Sequence, residues 1–191
     1  CNTIGQDVIG ETNKYDISHA TVDRSNTSAT ISIFSTYFNN VGSDGTRLGD
    51  LFLSTNGWNP YGNAPYIHDY FNHGEWMELA LVLSDHGDSI PTTGSQNYLG
   101  HSGTFGIYAV QAQNVQLSAA GGIYRADQEV RYNPGNQAAL GFGTWSILDV
   151  VGSEYDQLTF TFNFPAGVNF GSDLGFHWGM TCANDVIEGR A

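Results

Sequence analysis

Six side chains suited to a hard cation lie at Asp16, Asp44, Asp50, Asn56, Asp69 and Glu75. Calcium takes about six to eight oxygens from carboxylates, amides and carbonyls, and these residues are the natural suppliers. They lack the contiguous spacing of an EF-hand loop, and aspartates and asparagines in turns also cap their own backbone. Calcium held by these six is the expectation. His68 and His73, with Asp69 or Glu75, offer the nitrogen and oxygen donors of a zinc site as an alternative. Trp58, Tyr61, Tyr66 and Tyr70 fall in the same loop-rich stretch and would form a ring platform for a sugar face. The other reading is that Trp58 and its neighbours pack a long loop onto the body of the protein.

Hydrolytic chemistry needs a nucleophile with a base, or carboxylates at a workable separation. The sequence has no Gly-x-Ser-x-Gly elbow, no His-Glu-x-x-His run and no Cys–His pairing, so no catalytic residue is assigned. A lyase acting on uronates would draw on Arg125 and Arg131, the only clustered basic residues. His177, beside Trp178, reads as a hydrogen-bonded structural histidine.

The elements positioning these groups must be strands. The chain has 191 residues, 24 of them glycine, with 13% aromatic and 13% charged residues. That mixture suits short strands joined by turns and not a helical bundle. Period-two alternation recurs. It places Ala29, Ile31 and Ile33 inward, Asp50 on the polar face of Leu48 to Ser54, and Met77, Leu79, Leu81 and Leu83 on one side of Glu75 to Ser84. Trp76, Ala80 and Val82 crowd the other side of that last strand, which is expected to be covered on both faces. Thr104 to Val110 and Asn114 to Ser118 read as a hairpin; Glu129 to Tyr132 and Thr144 to Val151 are weaker strands. Gln157 to Phe164 and Leu174 to Cys182 are the clearest. Turns at Ser43-Asp44-Gly45, Thr55-Asn56-Gly57, Asn133-Pro134-Gly135 and Pro165-Ala166-Gly167 separate them. The expected architecture is all-β: a single antiparallel β-sandwich over residues 1–191, of jelly-roll type, with about eight to ten strands.

Charge narrows the partners. With 19 acidic and 6 basic residues the formal charge is −13, and Lys14 is the only lysine. No basic face can be assembled for nucleic acid or an anionic membrane. No apolar run approaches the roughly 18 residues of a membrane-spanning helix, so no membrane insertion of this segment is expected. Cations and neutral polysaccharide remain, alongside the plain reading that the charge serves solubility. Cys1 and Cys182 would close nearly the whole chain as one disulfide in an oxidising compartment. The alternative is a lipidated Cys1 at a mature N-terminus. With one lysine and five prolines, the sheet edges carry few of the usual guards. The N-terminal segment 1–14, through Thr3 to Gly10, would then add to a neighbour's sheet and build fibres.

Tyr15-Asp16-Ile17, Gly49-Asp50-Leu51-Phe52-Leu53-Ser54-Thr55-Asn56-Gly57-Trp58 and His177-Trp178-Gly179-Met180-Thr181-Cys182-Ala183-Asn184-Asp185-Val186-Ile187-Glu188-Gly189 resemble secreted bacterial proteins of the PEP-CTERM, exosortase-sorted type. The resemblance implies export, a cell-surface or biofilm-matrix location and a β-sandwich, and it brings no catalytic residues. A fainter similarity to DOMON-like and carbohydrate-binding sandwiches rests on the Gly49 to Ser54 strand. The function expected is a non-catalytic extracellular structural or adhesive protein, calcium-stabilised and self-assembling. The alternatives are a carbohydrate-binding module centred on Trp58 and, third, a polysaccharide-active enzyme.

Overall fold

The computed structural model describes residues 8–63, 69–91, 94–119 and 125–191. Alternating apolar residues fold into eleven strands among these: β1 (Ile17–Arg24), β2 (Ser28–Ser35), β3 (Leu51–Ser54), β4 (Leu79–Leu83), β5 (Ser102–Ala109), β6 (Val115–Leu117), β7 (Glu129–Tyr132), β8 (Gly141–Leu148), β9 (Asp156–Asn163), β10 (Gly175–Gly179) and β11 (Val186–Arg190). Nine form one antiparallel sheet in the order β1-β2-β9-β8-β5-β4-β3-β10-β11, and β6 and β7 form a second, small one. The antiparallel β-sandwich expected from the alternation is the architecture found.

Inward residues from both halves of the large sheet share one core. Ile31 and Ile33 of β2, Leu51 and Leu53 of β3, Phe105 and Ile107 of β5, Phe160 of β9 and Trp178 of β10 all belong to it. The sheet therefore folds over itself, and its edge strands β1 and β11 come into contact. Arg24, at the end of β1, donates to the carbonyls of Phe170, Gly171 and Ser172 next to β10. That clasp satisfies backbone groups at an otherwise open margin. A second cluster, Phe52, Met77, Ala80 and Tyr132, lies on the outer face of β3 and β4 beneath β7. Double coverage holds for β4 itself, through Ala80 and Val82, whereas Trp76, expected on the same covered face, precedes the strand and is exposed.

Three particulars differ from the sequence reading. The stretches holding β5 and β6 are not a hairpin: β5 pairs with β4 and β8, whereas β6 pairs with β7. Alternation identifies strands but not which ones meet across long loops. Asp50 does not face solvent. It is fully buried just before β3, where its Oδ1 accepts from the Leu83 amide (2.9 Å) and lies 2.6 Å from His86 Nε2, while Oδ2 accepts from the Tyr132 amide (2.8 Å). The carboxylate thus ties β3, β4 and β7 together. The early strand β1 and the last strand β11 were not picked out from the sequence, because their faces are only partly buried and their alternation is weak.

Backbone approach is closest between the chain before β3 and the end of β10. A Cβ on Gly49 would sit 1.9 Å from the Gly179 carbonyl oxygen, so only glycine fits there. The Gly49 carbonyl in turn accepts the Trp178 indole N–H at 3.1 Å. Beyond the sheet, the Ile9 amide donates to the Asn184 carbonyl (2.7 Å), so this part of the N-terminal segment is tied to its own chain. Residues 1–7, including Cys1, lie outside the described residues, and among those described Cys182 has no disulfide partner.

Candidate functional site

The outer face of β10 and β11 carries a buried row of ionisable groups beneath the β3–β4 loop. Cross-strand register places His177 of β10 opposite Glu188 of β11, on the face away from Trp178. His177 has no exposure, and its Nδ1 lies 2.6 Å from Glu188 Oε1. Its Nε2 lies 2.9 Å from the backbone carbonyl of Glu129, on β7. A carbonyl can only accept, so Nε2 carries a proton; a carboxylate on the other side calls for a second on Nδ1. Burial alone would depress this histidine, but the charge of Glu129 and the bond to Glu188 push its pKa up to about 9. The ring is an imidazolium at neutral pH and has no lone pair left to act as a base.

The row continues into the loop. Burial would raise Glu188, yet the bond and charge of His177 and the indole N–H of Trp58 (3.1 Å to Oε2) hold it below the usual carboxylate range. Asp69 also hydrogen-bonds Glu188, and burial together with the Glu188 charge pushes Asp69 up to about 7. The proton between the two carboxyls therefore belongs to Asp69, and Glu188 is the ionised partner. The backbone N–H of Tyr61 also bonds the Asp69 carboxyl, and the Gln128 side chain donates to the Asp69 carbonyl at 2.6 Å. Glu129 is buried and raised by that burial, with the His177 charge opposing. Gly74 closes the packing: its φ is +108°, and a Cβ there would fall 1.7 Å from Asp69 Oδ1.

This anchored loop presents rings to solvent. Tyr70 and His73 exchange backbone hydrogen bonds (3.2 and 2.7 Å) across a tight turn. Around it, Tyr61 packs 5.2 Å from His73, Tyr70 lies 6.2 Å from His73, and Phe71 lies 5.4 Å from Trp76. Tyr61 and Trp76 are 54% and 41% exposed. Trp58 is half-buried, as are Tyr70 and Phe71, and its indole N–H is committed to Glu188, so the exposed rings are Tyr61, His73 and Trp76. Tyr66 and His68 lie outside the described residues.

The six expected cation ligands are spread across the fold. Asp16 accepts the Tyr155 hydroxyl and Asp44 that of Tyr15, both at 2.7 Å, while Asp50 and Asp69 hold the core contacts described above. Asn56 and Glu75 do converge: Ser54 Oγ lies 2.6 Å from Asn56 Oδ1 and 3.0 Å from Glu75 Oε1. Beside them Glu78 Oε2 accepts the Thr55 amide at 2.7 Å. Among the described residues, no group of three or more His, Cys, Asp or Glu is placed to hold a metal ion.

Sequence reasoning missed Glu188, Glu129 and Trp76 as parts of this region. The available signal was the register of β11 against His177, which pairing alone reveals. No protein-family model matches the chain, and comparison with curated proteins and with solved structures finds no match.

Proposed function

We propose that this chain is a non-catalytic extracellular surface or matrix protein that holds neutral polysaccharide on the rings of its β3–β4 loop. The observation that carries this reading is the set of exposed rings Tyr61, His73 and Trp76, with half-buried Tyr70 and Phe71 packed beside them, near the Asp69–Glu188–His177 row. Flat rings stack on the apolar faces of pyranoses, and the anchoring of Trp58 and Asp69 limits the entropy that these positions lose on binding. The −13 charge favours neutral over anionic polymers. His177, with both ring nitrogens engaged, supports a positioning role over acid–base catalysis.

Calcium belongs to the proposal at Asn56 and Glu75, with Glu78 as a further oxygen donor, where it would brace the start of the same loop. The disulfide Cys1–Cys182 belongs to it too. The bond between Ile9 and Asn184 brings the N-terminal segment beside Cys182, and intact-mass measurement before and after reduction tests the pairing. Binding itself is tested on a glycan array with the wild type and the Tyr61→Ala and Trp76→Ala variants.

A further inference from the structure

The face formed by the outward residues of β1, β2, β9, β8 and β5 carries two rows of small polar groups set by register. Across β2, β9, β8 and β5 one row is Ser32, Thr159, Ser146 and Ser102, and the other is Thr30, Thr161, Thr144 and Thr104. Strand β1 continues them with Thr21 and the acidic Asp23, which bounds the uncharged area. Within the rows Ser32 and Thr159 hydroxyls lie 3.1 Å apart, and the Gln157 amide donates to both at 2.9 Å. Along β2, β9, β8 and β5 the only Asp, Glu, Lys or Arg is Asp156, which is buried and bonded to Asn39. The outward surface of these four strands is therefore free of charge in a molecule of net charge −13.

Apolar side chains also stand on this face. Phe142 and Leu148, at opposite ends of β8 and on the same side as Thr144 and Ser146, are 72% and 53% exposed. Leu140 and Val151, just outside the strand at its two ends, are exposed as well, at 46% and 92%. We infer that this face is where a second copy of the chain docks, sheet against sheet. Two copies so acidic can touch over an appreciable area only where neither presents carboxylates. Hydroxyls both donate and accept, so rows of serine and threonine are self-complementary about a two-fold axis without opposite charges.

Size agrees with a reversible contact. The four charge-free strands β2, β9, β8 and β5, spaced about 4.8 Å with seven residues rising about 3.4 Å each, cover roughly 450 Å² per copy. That is about 900 Å² in total, the range of weak, transient contacts. Because the rest of each molecule repels the other, added salt strengthens the dimer instead of weakening it. Such pairing differs from strand addition at an edge, and it does not rest on glycan binding.

Sedimentation equilibrium over a concentration series at low and high sodium chloride tests the inference, with wild type, Thr161→Glu and Trp76→Ala. Thr161 is exposed at the centre of the face, so the new carboxylate leaves the core intact, which a thermal melt checks. The expected result is a wild-type dimer that tightens at least tenfold with salt, loss of that dimer in T161E, and an unchanged dimer in W76A. A wild type that stays monomeric throughout, or a T161E variant that dimerises as the wild type does, overturns it. So does a monomer that loses neutral-glycan binding on T161E substitution. Loss of glycan retention in W76A with the dimer intact bears on the ring cluster alone.

Discussion

His177 Nδ1 lies 2.6 Å from Glu188 Oε1 across paired strands, with the imidazole completely buried and its other nitrogen engaged by a backbone carbonyl. The pair fixes the underside of the loop that carries the exposed rings, and it makes that support pH-dependent. His177 and Asp69 both have folded pKa values above their ordinary ones, about 9 and about 7. Each contributes stability that is full in acid, below its unfolded pKa, and lost as pH rises through the folded value. Glu188, held low, acts in the other direction and withdraws stability as pH falls through its depressed pKa. The urea midpoint is expected to fall from about pH 6 to about pH 9.5, and His177→Gln should flatten the part above about pH 7. Parallel wild-type and H177Q curves would contradict this assignment.

The same substitution removes one partner of a buried ion pair. Its cost at neutral pH is expected at about 3–5 kcal/mol, because Glu188 is left without its cation. Equilibrium urea denaturation measures it, and a loss below about 1 kcal/mol would place the charge elsewhere.

Asp50 gives an independent test of the fold's polar staple. Asp50→Asn keeps the volume but turns one acceptor into a donor against either the Tyr132 amide or the Leu83 and His86 side. A loss of about 2–4 kcal/mol is expected from the unsatisfied buried donor and the lost charge-assisted bonds. Near-neutral behaviour in denaturation would show that the three bonds are not held together in solution.

Calcium at the start of the β3–β4 loop predicts a melting temperature several degrees higher in excess calcium than in chelator. Glu75→Gln should remove most of that difference while leaving the melt in chelator nearly unchanged. Equal melts of the wild type with calcium and with chelator would argue against a site there.

Much of the fold was legible because its strands bury one face. Leu158, Phe160 and Phe162 alternate with Thr159 and Thr161, and β9 follows that pattern. Asp50 was misleading: an acidic residue in an alternating strand suggests solvent, whereas here the amides of Leu83 on β4 and Tyr132 on β7, with the His86 ring, make its burial tolerable. The sequence is dense in polar and aromatic groups from Gly42 to Glu75, and the described part of that stretch includes the ring pairs Tyr61–His73 and Tyr70–His73. Its anchoring partner, Glu188, lies far away in sequence and is identified only by the register of β11 against His177. Between the two readings of Trp58, a sugar platform or a ring packing a long loop onto the body, its indole N–H bonded to Glu188 favours the second.

Glycan retention by the ring cluster is tested most directly by affinity electrophoresis through gels containing neutral polysaccharides selected from the array. The wild type should be retarded. Tyr61→Ala and Trp76→Ala should each weaken retention about tenfold or more, with melts unchanged because both rings are exposed. Wild-type migration unaffected by every neutral polysaccharide, or retention that survives both substitutions together, would contradict the assignment.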